Sequence, residues 1–305
     1  MATLQADVSG FKPWMPRVAH WAALAAIAVA LGWSYAPNFG YLIGQWEHDP
    51  NYSYGYFVIP IAAVILWSRC SLLDWKQVVP LWWGLLPLVA LVALRYPLFE
   101  RNELFVETAT LPLVVGALVL AMGGWHLLRV AWPSVLFLFF MLPLPPSYNQ
   151  MLAGPLQQVA TTGSLMLLQI IGLPVMADGN VILVGDEPLE VARACNGLSM
   201  MLSFVTLITA VVILVKMPRW ERVLLLLSAI PIALVSNIIR ITITALVYHF
   251  IGHTWGELLA HRPAGWLMMP MALVLVWLEL KLWSWLFVEV EERDATPLLR
   301  RAAGR

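Results

Sequence analysis

Apolar runs near the length needed to cross a bilayer recur along the chain, separated by short polar stretches. They cover about residues 20–36, 55–67, 81–94, 104–122, 125–143, 197–215, 223–250 and 265–286. A helix needs about 20 apolar residues to traverse a hydrocarbon core of roughly 30 Å. The pattern therefore predicts an all-α polytopic membrane protein with about eight transmembrane helices. The first run follows a basic flank and ends in Ser34-Tyr35-Ala36, like a signal peptide, but reads better as an uncleaved span. Residues 37–54, with Glu47 and Asp49 and neither Lys nor Arg, read as an outer loop. Pro143, Pro145 and Pro146 end the fifth helix, because proline lacks an amide donor and resists the helical interior.

The stretch 144–195 breaks this rhythm. Residues 155–173 carry a helical pattern with Gln158, Thr161, Thr162 and Gln169 on one side. This segment reads either as a ninth span or as a helix lying in, or re-entering from, the outer interface. After it, NVILV and PLEVA flank Gly185-Asp186-Glu187, which predicts two short strands around a turn. Such a hairpin must stay clear of lipid, where open strand edges are not tolerated.

Charge decides between the two readings. With eight spans, the N-terminus, the even-numbered loops and the C-terminal tail hold eleven Lys and Arg residues, and Arg129 and Lys281 lie within spans toward the same side. The odd-numbered loops hold four (Arg95, Arg101, Arg193, Arg262), and Arg240 lies within a span. A ninth span would turn KMPRWER (216–222) and the RRAAGR tail outward, against the positive-inside rule. The expected topology places both termini in the cytoplasm and the 144–195 helix and hairpin outside. The apolar share of 61% and charged share of 12% fit this class, since soluble domains carry about 25% charged residues. Zero net charge implies no attraction to nucleic acid. Two cysteines make no disulfide framework, and no CxxC, HExxH or GxSxG motif is present. Nothing calls for a metal or another cofactor.

Three polar residues stand out against this background. Cys195 follows the hairpin and opens a long apolar helix, with Arg193 two residues before it. A helix N-terminus and a nearby cation both favour the thiolate, the reactive form, although most lone cysteines are small buried apolar residues. Arg240 lies deep in its span, where a charge costs about 2.5 kcal/mol or more unless it faces protein or a polar cavity. Asn237, one turn earlier, is placed to fix the guanidinium. Of the three histidines near the mouth of the last span, His261 is preferred over His249 and His253, because Pro263 and Gly265 position it. Asn196, Gly197 and Glu190 complete the candidate set as substrate-binding or supporting residues, although Glu190 reads better as an exposed strand carboxylate. Cys70 falls at the opposite end of its span and reads as structural. A Cys–His–Arg set suits acyl transfer: the thiolate attacks a peptide carbonyl, His261 protonates the leaving amine, and Arg240 stabilises the oxyanion.

LEVARACNGLSMMLS around Cys195, SAIPIALVSNIIRITIT around Arg240 and HRPAGW at His261 resemble the exosortase/archaeosortase family of integral membrane transpeptidases. DPNYSYGYFVIPIAAVILW and LPLPP add weaker likeness, and the order of the motifs fits. The resemblance implies a membrane cysteine protease and transpeptidase in the bacterial cell envelope. Its partners would be exported proteins with C-terminal sorting tails (a short Pro-Glu-Pro-type signature, a membrane helix and a basic end), with acyl transfer to an acceptor nucleophile. It also implies a single domain over 1–305, with 195–286 as the catalytic core, 1–18 and 287–305 cytoplasmic, and the site facing the periplasm or exterior. The chain departs from the family pattern at Tyr54, Arg193, Asn196 and Ser199, which bears on subtype and tail signature. The competing class is a transporter or channel with a polar path around Arg240. It lacks the repeat symmetry and distributed polar residues that such folds carry.

Overall fold

The computed structural model describes residues 26–27, 29–49, 51–100, 104–179, 181–184, 187–190, 197–252, 273–282 and 285. These residues form α1 (Ala36–His48), α2 (Gly55–Arg69), α3 (Leu85–Glu100), α4 (Leu104–Phe137), α5 (Pro146–Ile171), β1 (Val175–Asp178), β2 (Val181–Val184), β3 (Glu187–Glu190), α6 (Leu198–Leu214) and α7 (Arg219–Ile251). Among them, three helical stretches are long and apolar enough to cross a membrane: Gly55–Leu72, Leu104–Met141 and Arg219–Ile251. Trp82–Leu98 and Leu198–Leu214 are shorter apolar helices. The expected count of eight is not reached among the described residues, which take in only parts of the first and last runs.

Two expected spans, 104–122 and 125–143, are fused into α4. The helix breaks at Gly124, whose φ of +65° lies in the left-handed region that glycine alone adopts without strain. Gly116 faces the Val135 side chain across the break, so the two halves lie side by side. The first half packs on α3, where Gly84 meets the Ala121 backbone. The second half packs on α2, where Ser134 Oγ donates to the Ala62 carbonyl at 2.5 Å.

Three expectations are corrected. Residues 36–48 form helix α1 rather than an outer loop. Pro37 sits in its first turn, and Leu42 and Trp46, one turn apart, are buried beside Tyr35. Arg95 belongs to α3 and is buried, not a loop cation. Its Nε donates to Glu107 Oε1 at 3.1 Å, and its terminal nitrogens donate to Ser34 Oγ at 2.6 Å and Asn38 Oδ1 at 3.2 Å. The guanidinium also lies 3.7 Å from the centre of the Tyr35 ring. The sheet has three strands where two were expected, in the order β1-β2-β3 with both pairs antiparallel. VMAD before Gly179 was the missed strand, and Gly179, at φ +60°, supplies the turn.

α5 begins nine residues before the expected 155 and packs along α7. Ser164 Oγ donates to the Ile238 carbonyl at 3.2 Å, and Gly163 leaves room for the Ile238 side chain. The inner faces of β1 and β2, Val175, Ile182 and Val184, pack with Leu168 of α5 and Ile241 and Ala245 of α7. α6 and α7 meet through two one-turn ladders, Met200, Phe204 and Ile208 against Leu225, Ala229 and Ala233.

Candidate functional site

α6 starts immediately after Gly197, whose φ of +83° again requires glycine. A Cβ at this position would stand 3.3 Å from Asn237 Nδ2 and 3.5 Å from Leu156 Cβ. The backbone at 197 is thus pressed between the middle of α7 and the side of α5. The Gly197 carbonyl accepts from Met201 N at 2.9 Å, the first bond of the helix. The N-terminal end of α6, with its partial positive charge, therefore opens toward the residues that precede Gly197.

Facing it, α7 carries a polar stripe. Ser236, Asn237, Arg240 and Thr244 are buried, whereas Val235, Ile239 and Ile243 on the other side are exposed. The alternation follows from SNIIRITIT itself: apolar residues at one-turn spacing take the outside, and the polar ones turn toward protein. Arg240 is 9% exposed and Asn237 fully buried, about 4.5 Å apart along the helix axis at 1.5 Å per residue. Ser236 and Thr242 spend their hydroxyls on the Ile232 and Ile238 carbonyls at 2.7 and 2.8 Å. On α5, Thr161 is buried, and its hydroxyl has no hydrogen bond among the described residues.

The turn before α2 ties this region to the rest of the bundle. Trp46 Nε1 donates to the Met141 carbonyl at 3.0 Å, and the Leu144 amide donates to the Tyr52 hydroxyl at 3.1 Å. Tyr54 hydrogen-bonds the side chain of Thr206 in α6. Burial pushes the Tyr52 phenol upward, so it stays neutral and can accept the Leu144 amide. One network thus connects the 49–54 turn, the Pro-rich stretch and α6. None of these residues stood among the expected site residues; the clustering of aromatics in NYSYGY was the available signal.

Residues 46–278 match the transmembrane exosortase family. The chain belongs to that family. The match takes in the exosortase stretches around Cys195, Arg240 and His261, and also the aromatic turn. No curated protein and no solved structure matches the chain.

Of the expected exosortase site residues, Gly197 and Asn237 are in contact, and Arg240 lies one turn beyond Asn237 on α7. Glu190 ends β3, its Cα paired with that of Val181. Cys195, Asn196 and His261 lie outside the described residues. Cys70 is exposed at the end of α2, its thiol directed to the Leu66 carbonyl at 3.3 Å.

Proposed function

We propose that this exosortase-family protein is a membrane cysteine endopeptidase and transpeptidase acting on C-terminal sorting tails of exported proteins. The Cys195 thiolate attacks the carbonyl of the scissile peptide, and the oxyanion is met by the Arg240 guanidinium. His261 protonates the departing amine as the C–N bond breaks, leaving a thioester. It then takes a proton from the acceptor nucleophile, whose attack expels the thiolate and completes the transfer. Asn237 orients Arg240. Asn196, Gly197 and Glu190 shape the approach of the tail.

The supporting observation is the contact of Gly197 with Asn237. It puts the backbone of Gly197, two residues after Cys195 in sequence, against Asn237, and Arg240 follows Asn237 by one turn of α7. A preorganised cation in a water-poor site stabilises developing negative charge far better than one in water. On this reading the protein lies in the inner membrane with both termini cytoplasmic. The site faces the periplasm or exterior, and α5 with its sheet forms the outer wall.

The test is co-expression with a Pro-Glu-Pro-tailed protein, following loss of the tail by gel shift and mass spectrometry. Wild type should cleave it and form a trappable acyl-enzyme, whereas Cys195→Ala and Cys195→Ser should do neither. Cleavage by a correctly inserted Cys195→Ala protein would overturn the cysteine mechanism. Solute flux that depends on Arg240 but not on Cys195 would favour a transport role instead.

A further inference from the structure

The corner between α2 and α3 carries chemistry that the proposed reaction does not use. Residues 69–84 are strapped across the break in α4 by three hydrogen bonds. Arg69 Nε donates to the Val130 carbonyl at 2.8 Å, the Asp74 amide donates to His126 Nε2 at 3.1 Å, and the Leu81 amide donates to the Ala121 carbonyl at 3.1 Å. Gly124 makes the close approach possible, since a Cβ there would stand 2.8 Å from the Val79 carbonyl oxygen. The corner is therefore a built surface.

Its outside combines two kinds of side chain. Trp67, Trp75, Trp82, Trp83 and Trp125 are all at least two-thirds exposed. Indole rings favour the headgroup level of a bilayer, where an apolar body and a polar N–H are both accommodated. Among them stand Lys76 and Arg129, both exposed, and Arg69, half-buried. The one carboxylate in the strap, Asp74, is engaged locally. Its Oδ1 accepts the Lys76 amide at 3.0 Å and its Oδ2 accepts Gln77 Nε2 at 3.1 Å. His126 is engaged too, its Nε2 accepting the Asp74 amide. The Nε bond of Arg69 fixes the plane of its guanidinium, a fork that matches phosphate oxygens. The balance of Arg69, Lys76, Arg129 and Asp74 is positive, on a surface whose indoles hold it at the bilayer interface.

We infer that this corner is a binding site for anionic phospholipid headgroups. The tryptophans set its depth, and the three cations engage the lipid phosphates. Charge complementarity selects an anionic lipid over a zwitterionic one, because each Lys or Arg near an anionic headgroup strengthens binding about fivefold. The proposal stands independently of the reaction at Cys195.

The full-length protein, reconstituted in nanodiscs of phosphatidylcholine doped with phosphatidylglycerol, provides the test. Bound lipid is counted by native mass spectrometry after transfer to detergent. Wild type should retain phosphatidylglycerol in preference to phosphatidylcholine, and excess inorganic phosphate should not displace it. Lys76→Gln with Arg129→Gln should weaken retention about 25-fold, taking about fivefold for each cation. The charge-keeping pair Lys76→Arg with Arg129→Lys should retain the lipid, which separates loss of charge from damage to the fold. Equal retention by wild type and the glutamine pair, or no preference for phosphatidylglycerol, would overturn the proposal. Displacement by phosphate would equally overturn it, by making the ligand a free anion.

Discussion

Gly197→Ala is the perturbation that most directly probes how the site is assembled. At φ +83° an L-residue pays about 1–2 kcal/mol for left-handed backbone. The added methyl would also stand 3.3 Å from Asn237 Nδ2, in a place where Asn237 is fully buried and has little room to retreat. Together these suggest a cost of about 2 kcal/mol, to be met by moving the chain just before α6 or by displacing Asn237. If the strain is relieved by movement, a 2 kcal/mol bias leaves about one molecule in thirty with the original geometry. Tail-cleavage kcat/KM should then fall about tenfold to thirtyfold, while membrane insertion is unchanged. Gly40→Ala, in the interior of α1 with nothing within 4 Å of the new Cβ, is the matched control. It should be neutral or slightly stabilising, because alanine is the better helix former by about 1 kcal/mol. Full cleavage by Gly197→Ala, with an unfolding midpoint equal to wild type, would refute the packing argument and remove the main structural support for the site.

Other outcomes follow from the buried polar groups. Glu107→Ala should destabilise the protein by about 3–5 kcal/mol, because it strands the buried Arg95 charge. Arg95→Met combined with Glu107→Leu should recover most of that loss in detergent melts, and a double variant as unstable as Glu107→Ala would contradict the assignment. Asn237→Leu should lower kcat more than it raises KM if the amide orients Arg240 for the transition state, and a pure KM effect would point to substrate binding instead. Gly124→Ala should be damaging, since the left-handed turn and the Val79 carbonyl both exclude a side chain. An unshifted melting curve for that variant would count against the α4 break.

Much of this was legible because lipid simplifies the code. Polar residues within long apolar runs are few, and each must turn toward protein, so Arg240 stands out by its depth and Asn237 by its place one turn earlier on the same face. The two halves of α4 were legible as separate apolar runs around Gly123-Gly124. Other features were hidden for physical reasons. Arg95 reads as a loop cation because the apolar run stops at 94, whereas Glu107 in the first turn of α4 pairs with the buried cation and α3 continues to Glu100. Helix α1 was masked by Glu47 and Asp49 at its end, which made the stretch look like a solvated loop although Leu42 and Trp46 keep helical spacing. Strand β1 has only one buried position, Val175, so its pattern gave no alternation to detect.

The two buried arginines show how placement separates scaffold from site. Arg95 has its partner twelve residues away in the first turn of α4, and Ser34, Asn38 and the Tyr35 ring close around the pair. Such a pair holds three helices in register, and its charge is answered within the fold. Arg240 sits on a helix face bearing Ser236, Asn237 and Thr244, opposite the point where α6 begins. Placing a cation at that depth costs desolvation energy whatever its neighbours are. On the proposed reading, the oxyanion that develops during the reaction draws on that cation. Arg240→Lys sharpens the point. Lysine keeps the charge but loses the planar fork, so insertion and stability should be nearly retained while tail cleavage falls steeply. Loss of both together would make Arg240 a scaffold residue like Arg95.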